Sequence, residues 1–172
     1  VEEMIAHPII RGVSLTGSEA AGRKIAEAAG KNLKKCVLEL GGSDAFIVCE
    51  DADLEKAAKD GAQARLQNNG QTCVAGKRFI IHEKIYQDFV EKFTEEYQKY
   101  QPENPMIEET KLGLMAREDL ASDLEKQYQK ALNNGAKAIV ALESVGSMAF
   151  KPGILEMNPE NPIAQEELFG PL

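Results

Sequence analysis

Residues 36–49 read Cys-Val-Leu-Glu-Leu-Gly-Gly-Ser-Asp-Ala-Phe-Ile-Val-Cys. The runs Cys36–Leu40 and Ala45–Cys49 are short and apolar, which predicts two strands. Gly41, Gly42, Ser43 and Asp44 separate them with turn-forming residues and predict a bend. These two strands decide the fold class, because the segments that precede and follow them have the character of helices.

Helices and strands alternate along the rest of the chain. Apolar residues at helical spacing predict three helices after the two strands, each next to a further apolar run. The predicted elements are strand 12–16, helix 19–29 ending at Gly30, a helix capped by Asp51 or Asp53, strand 78–82, a helix carrying Ile85, Phe89, Phe93 and Tyr97, a polar surface connection 103–113, helix 118–134, and strands 137–142 and 153–157. This order predicts an α/β fold, a three-layer domain with a mostly parallel sheet.

Composition limits the classes of function. The chain has 172 residues, of which 43% are apolar and 28% charged, and its net charge is -8. It has no long apolar run and no basic cluster, so we expect a cytoplasmic protein that binds neither nucleic acid nor membrane. With three cysteines and two histidines, neither disulfides nor a metal site is expected.

Two residue types suited to covalent catalysis stand beside glycines. Cys73 follows the polar stretch Arg65–Thr72, and Glu39 lies 34 positions upstream of it, just before Gly41. Near neutral pH a thiolate attacks carbonyl carbons efficiently, and a carboxylate can activate water as a general base. Cys73 and Glu39 are therefore the predicted catalytic pair.

Four separate motifs occur in the order found in one enzyme family. They are Val13–Ser18 with Gly22 and Arg23, Leu38–Gly42, Arg65–Cys73, and Glu166–Pro171. In sequence and order they resemble the NAD(P)-dependent aldehyde dehydrogenases, and residues 39–48 are most similar to the bacterial succinate semialdehyde dehydrogenase branch. The resemblance implies the catalytic-domain fold of that family and a small aldehyde as substrate.

The resemblance also implies a role for each matching residue. Cys73 would form a thiohemiacetal and then a thioester with the aldehyde, and Glu39 would activate the water that hydrolyses the thioester. The Cys73 backbone N–H would stabilise the oxyanion. NAD or NADP would be bound by Gly17, Ser18, Leu40, Gly41, Glu167 and Phe169.

Comparison with the family predicts two parts in this chain. Residues 1–41 would be the end of a cofactor-binding domain, and residues 42–172 a catalytic domain that is incomplete at its carboxyl end. The full-length enzyme is expected to be a homo-oligomer. The alternative is that the isolated chain is inactive as an enzyme and serves only as a folding or assembly module.

Two further points stay open in the sequence. Members that recognise succinate semialdehyde carry an arginine six residues before the nucleophile, where this chain has Gln67, and Arg65 is the nearest substitute. A different class of function, a cysteine hydrolase, would use His82 as the base for Cys73. That reading gives Glu39 and Glu167 no role.

Overall fold

The computed structural model describes residues 1–172. They form two compact units, residues 1–42 and residues 43–172. No helix in the structure has the length and apolar character needed to cross a membrane. The assignment of residues 1–41 to a cofactor domain and 42–172 to a catalytic domain stays a prediction.

The first unit is built on one parallel strand pair. Its elements are α1 (Glu2–Ala6), β1 (Gly12–Thr16), α2 (Glu19–Lys31) and β2 (Lys35–Glu39). The two strands pair in parallel from Gly12 opposite Lys35 to Thr16 opposite Glu39. Helix α2 is the crossover between them, as parallel pairing requires.

Helix α2 extends two residues further than the sequence pattern predicted. Ser18 caps its amino end, where Ser18 Oγ accepts from Ala21 N–H at 3.3 Å. The predicted end at Gly30 is wrong, because the helix continues to Lys31. A glycine inside a helix costs only about 1 kcal/mol relative to alanine. The chain leaves the helix through Leu33, which has a left-handed φ of 52°.

The second unit contains the remaining strands and three helices. Its elements are β3 (Asp44–Val48), α3 (Leu54–Leu66), β4 (Gly76–Ile81), α4 (Tyr86–Gln98), α5 (Glu118–Asn133), β5 (Lys137–Val140), β6 (Glu143–Ser144), β7 (Phe150–Lys151) and β8 (Ile154–Glu156). Short 3-10 turns lie at Gln67–Gly70, Glu83–Ile85 and Pro162–Gln165.

Strand direction in this unit follows the connections. Helix α3 joins β3 to β4, and these strands pair in parallel. No helix lies between β5 and β8, and they pair antiparallel, as do β6 and β7. The α/β class and parallel pairing across helices are thus confirmed, and the strands of this unit form three two-stranded ladders rather than one continuous sheet.

Aromatic side chains fill the core between α3, α4 and the β3–β4 ladder. Phe79 lies 4.7 Å from Phe93 and 5.1 Å from Phe46, measured between ring centroids. Phe93 also packs against Phe89 and Tyr97 at 5.3 and 5.1 Å. Phe89, Phe93 and Tyr97 of the predicted stripe therefore belong to one of the two core clusters of this unit, as their spacing of four residues indicated.

The predicted surface connection 103–113 is partly wrong. Leu112 is 0% exposed and belongs to the aromatic core cluster. The segment folds back on itself, with Glu103 N–H donating to Leu112 O at 2.9 Å and Pro102 bridging to Leu112. Because the segment folds back, its apolar residue Leu112 points into the core. The polar composition of the segment does not predict this burial.

Substitution of Gly61 tests the α3–α4 packing. A Cβ at Gly61 would lie 2.9 Å from Phe79 Cε1 and 3.2 Å from Phe93 Cε2. Overpacking of this kind costs about 1–3 kcal/mol, so we expect Gly61→Val to lower the free energy of unfolding by that amount in urea denaturation. Gly30→Val is the control, because a Cβ at Gly30 meets nothing within 4 Å. Equal effects of the two substitutions would contradict this description of the core.

Candidate functional site

The predicted site residues of the first unit meet at one end of its ladder. Gly17 and Ser18 directly follow β1, Glu39 is the last residue of β2, and Leu40 and Gly41 come next. In parallel α/β sheets, ligands bind beyond the carboxyl ends of the strands. The Glu39 side chain is exposed at this end.

Gly17 differs in one respect from the expected phosphate contact. Its N–H donates to Glu39 O at 3.0 Å and extends the pairing of β1 with β2. The Gly17 amide therefore already has an acceptor. Ser18 Oγ accepts from Ala21 N–H, which leaves the hydroxyl hydrogen for a ligand at the first turn of α2.

Gly22 positions Leu40, one of the predicted nicotinamide neighbours. Gly22 is buried, and a Cβ there would lie 2.7 Å from Leu40 Cδ2. The Leu40 side chain thus packs onto the face of α2 that the missing side chain leaves open. Because of this contact, the chain just beyond β2 is held by α2.

In the second unit, Cys73 lies in a turn between the 3-10 turn Gln67–Gly70 and β4. Its side chain is half-buried. Three consecutive residues before it have left-handed backbones: Asn68 at φ 52°, Asn69 at φ 58° and Gly70 at φ 72°. Asparagine and glycine are the residues that tolerate this conformation best, so the polar Asn-Asn-Gly run is a backbone requirement of the turn.

Side-chain amides attach this turn to the segment 113–116. Asn69 Oδ1 accepts from Gly113 N–H at 2.7 Å, and Asn69 Nδ2 donates to Leu114 O at 2.5 Å. Gln71 Oε1 accepts from Ala116 N–H at 2.8 Å. Each amide is thereby bound to backbone from more than forty residues away in the chain, which fixes the turn from outside.

Gly70 also touches the segment that carries the predicted cofactor residues. A Cβ at Gly70 would lie 2.2 Å from Gly170 O. Gly170 is itself enclosed by Leu124 and Met115, whose side-chain atoms would lie 2.5 and 3.2 Å from an added Cβ. The cysteine turn and the Glu166–Pro171 segment are therefore in backbone contact, and the structure brings Cys73, Glu167 and Phe169 into one region of this unit.

Arg65 connects the same two segments and is not a substrate group. It is 2% exposed. Its Nε donates to Leu172 O at 2.8 Å, and its Nη2 donates to Leu168 O and Gly170 O at 2.9 and 2.6 Å. Burial lowers the pKa of the guanidinium. Because Arg65 is shielded from solvent and its Nε and Nη2 are bound to these carbonyls, it does not take the place of the arginine that other members carry at the position of Gln67.

Lys77 is a residue of this region that sequence reasoning missed. Its side chain is 1% exposed, and its Nζ donates to Thr72 O at 2.8 Å and to Cys73 O at 2.9 Å. The same Nζ lies 3.2 Å from Glu167 Oε1. Lysines are usually exposed, so the sequence pattern places Lys77 at the surface. The only sign of burial in the sequence is its position near the start of a half-buried strand.

Glu166, next to the predicted ribose contact, is held by α5. Lys130 Nζ donates to Glu166 Oε1 at 2.5 Å and Gln127 Nε2 donates to Glu166 Oε2 at 3.1 Å. These donors keep the pKa of the Glu166 carboxyl below its usual value. Gln127 Nε2 also donates to Glu167 O at 3.2 Å, so the backbone of Glu167 is fixed from the same helix.

The hydrolase alternative is excluded by the position of His82. Cys73 precedes β4 and the exposed His82 follows it, so the six-residue strand separates them. At about 3.3 Å per residue the strand itself spans roughly 20 Å, far beyond hydrogen-bonding reach. His82 Nδ1 instead accepts from Lys84 N–H at 3.3 Å and caps the next turn.

Known proteins match the chain along its whole length. The family model described as the aldehyde dehydrogenase family matches residues 1–172. The NADP(+) succinate-semialdehyde dehydrogenase of Deinococcus radiodurans is 42% identical over 175 residues, which cover 100% of this chain and 37% of that protein. The NAD(P)+ succinate semialdehyde dehydrogenase of Escherichia coli is 45% identical over 175 residues, covering 100% of this chain and 38% of that protein.

Solved structures agree with the sequence matches. The succinic semialdehyde dehydrogenase of Streptococcus pyogenes, in complex with NADP+, is similar with a TM-score of 0.92 at 40% identity, covering 99% of this chain and 38% of that one. The chain thus spans a little over a third of the length of these relatives. Since the family match leaves no part of the chain unmatched, the chain belongs to the aldehyde dehydrogenase family.

Proposed function

We propose that the protein carrying this chain oxidises an aldehyde to its carboxylic acid with NAD+ or NADP+. The observation that carries the proposal is the turn at Cys73, a half-buried thiol whose backbone is fixed by Asn69, Gln71 and Lys77. A nucleophile held in one geometry reacts faster than a mobile one, because its orientation is set before the substrate arrives.

Cys73 is the proposed nucleophile. Its thiolate would attack the aldehyde carbon and give a thiohemiacetal. The backbone N–H of Cys73 makes no hydrogen bond to another group of the chain, which suits it to stabilise the developing oxyanion. Lys77 Nζ donates to Thr72 O, the carbonyl of the same peptide group, so the orientation of that N–H is constrained from the opposite side of the peptide.

The residues assigned to the cofactor each have chemistry suited to one part of a nicotinamide dinucleotide. The Ser18 hydroxyl stands at the start of α2, where helix amides favour an anion such as pyrophosphate. The Glu167 carboxylate, paired with Lys77, can accept hydrogen bonds from ribose hydroxyls beside Phe169. Leu40 and Gly41 would border the nicotinamide. When bound, NAD+ or NADP+ would supply the acceptor for the hydride that leaves the thiohemiacetal.

Glu39 is the proposed general base of the second half-reaction. Departure of the hydride would leave a thioester on Cys73, and this must be hydrolysed to release the acid. The Glu39 carboxylate is exposed at the end of β2, and it would take a proton from the attacking water.

Succinate semialdehyde is the proposed substrate. The relatives from Deinococcus radiodurans and Escherichia coli are named for that aldehyde, at 42% and 45% identity. Gln67 is exposed at the end of α3 and offers amide donors, without a charge, to the distal carboxylate. A neutral donor binds a carboxylate more weakly than arginine does, so a modest preference over neutral aldehydes is expected.

The direct test uses the full-length protein with succinate semialdehyde and either NAD+ or NADP+, and follows formation of the reduced cofactor by absorbance. We expect turnover with at least one cofactor, and a higher kcat/KM for succinate semialdehyde than for pentanal. Turnover with pentanal but not with succinate semialdehyde would contradict the proposed substrate and support the proposed reaction type. No turnover with any aldehyde would contradict the proposal.

Replacement of the nucleophile should abolish the reaction. We expect Cys73→Ser to lower kcat by about 10³-fold or more, because a serine without an adjacent base is a poor nucleophile. Cys49→Ser is the matched control, since Cys49 is exposed and has no role in the proposal. His82→Ala should also leave kcat within about twofold of the original, as expected for a surface residue.

Replacement of the base should separate the two half-reactions. Glu39→Gln keeps size and hydrogen bonding and removes the proton acceptor, so we expect steady-state kcat to fall by about 10²–10⁴-fold. Formation of reduced cofactor in the first turnover should persist, giving a burst equal to the enzyme concentration in stopped-flow absorbance. Loss of the burst together with kcat would show that Glu39 acts before the thioester.

A further inference from the structure

Lys77 joins the two halves of the proposed site within the second unit. Its ammonium is buried, with 1% of the side chain exposed. Two of its partners are the carbonyl oxygens of Thr72 and Cys73, and the third is the Glu167 carboxylate. These are three oxygens for the three N–H donors of one ammonium group.

This arrangement differs from the other lysine ion pairs of the unit. Lys84, for example, pairs with Glu50 at 2.6 Å, and its side chain is 67% exposed, so water and salt weaken that pair. A charge that is nearly excluded from water depends on its protein partners instead. Loss of one partner of Lys77 therefore changes the strength of its hydrogen bonds to the other two.

We propose that Lys77 is a positioning residue that couples the Glu167 carboxylate to the geometry of Cys73. This rests on the proposed function, in which Glu167 contacts the cofactor ribose and Cys73 is the nucleophile. When Glu167 shares its charge with another group, the ammonium is held more by the carbonyls of Thr72 and Cys73. A change in the interactions of the Glu167 carboxylate is thereby transmitted to Cys73 through the side chain of Lys77.

The coupling predicts that a change at Glu167 alters Cys73 through Lys77. The test measures alkylation of Cys73 by iodoacetamide in the full-length protein without cofactor, with peptide mass spectrometry to separate Cys73 from Cys36 and Cys49. We expect Glu167→Gln to change the alkylation rate by about fivefold, since residues in one polar network couple strongly. Lys77→Met should change it by a similar factor.

The double variant identifies the path. If the effect passes through Lys77, adding Glu167→Gln to Lys77→Met should change the rate by less than about twofold, whereas independent effects would multiply. The surface substitution Lys84→Met removes an equal charge and should leave the rate within about twofold. Restoration of the original rate by Lys77→Arg would support a role for the charge.

Two results would overturn the proposal. One is an unchanged alkylation rate in Glu167→Gln, which stays decisive even if Lys77→Met fails to fold. The other is a Glu167→Gln effect of the same size in the presence and absence of Lys77. Alkylation needs no turnover, so these results are separate from the aldehyde oxidation assay, whose failure would remove the proposed function instead.

Discussion

The second unit depends on a guanidinium that is nearly excluded from water. Arg65, at the end of α3, donates to three carbonyls of the last five residues of the chain and is 2% exposed. Burial of such a charge is unfavourable unless acceptors surround it, so its position and that of the terminal segment determine each other. The turn that leads to Cys73 begins two residues after Arg65, so the start of this turn is fixed by the Arg65 guanidinium.

A second constraint comes from backbone conformation. Asn68, Asn69 and Gly70 all have positive φ, and Gly70 lies against the Gly170 carbonyl. A chain that turns this sharply needs outside support, which the amide side chains of Asn69 and Gln71 obtain from the segment 113–116. The geometry of the turn thus explains why the residues before Cys73 are polar. They support the turn through hydrogen bonds and do not pack in an apolar core.

Sequence patterns predicted the elements well where burial is periodic. Phe89, Phe93 and Tyr97 lie in a core cluster, and the strand pairs β1–β2 and β3–β4, each joined by a helix, are parallel. They failed where a contact is set by distant chain segments. Leu112 is buried by closure of its loop, and the Gly17 amide is used by Glu39 O.

Buried charges were the larger omission. Lys77 and Arg65 lie inside the protein because carbonyls and a carboxylate from more than one segment meet there, and no local pattern encodes that meeting. Glu39, Cys73 and Glu167 were predicted as site residues from motifs that resemble the aldehyde dehydrogenase family, to which the chain belongs. The groups that hold Cys73 and Glu167 in place emerged only from three-dimensional contacts.

The central claim is that Cys73 carries the acyl group during the reaction. It is tested most directly by mixing the full-length protein with aldehyde and oxidised cofactor, stopping the reaction in acid within the first turnover, and locating the adduct by peptide mass spectrometry. The account predicts one acyl group, as a thioester on the peptide that contains Cys73. An acyl group on Cys36 or Cys49, or product formed with no protein adduct at any time, would contradict it.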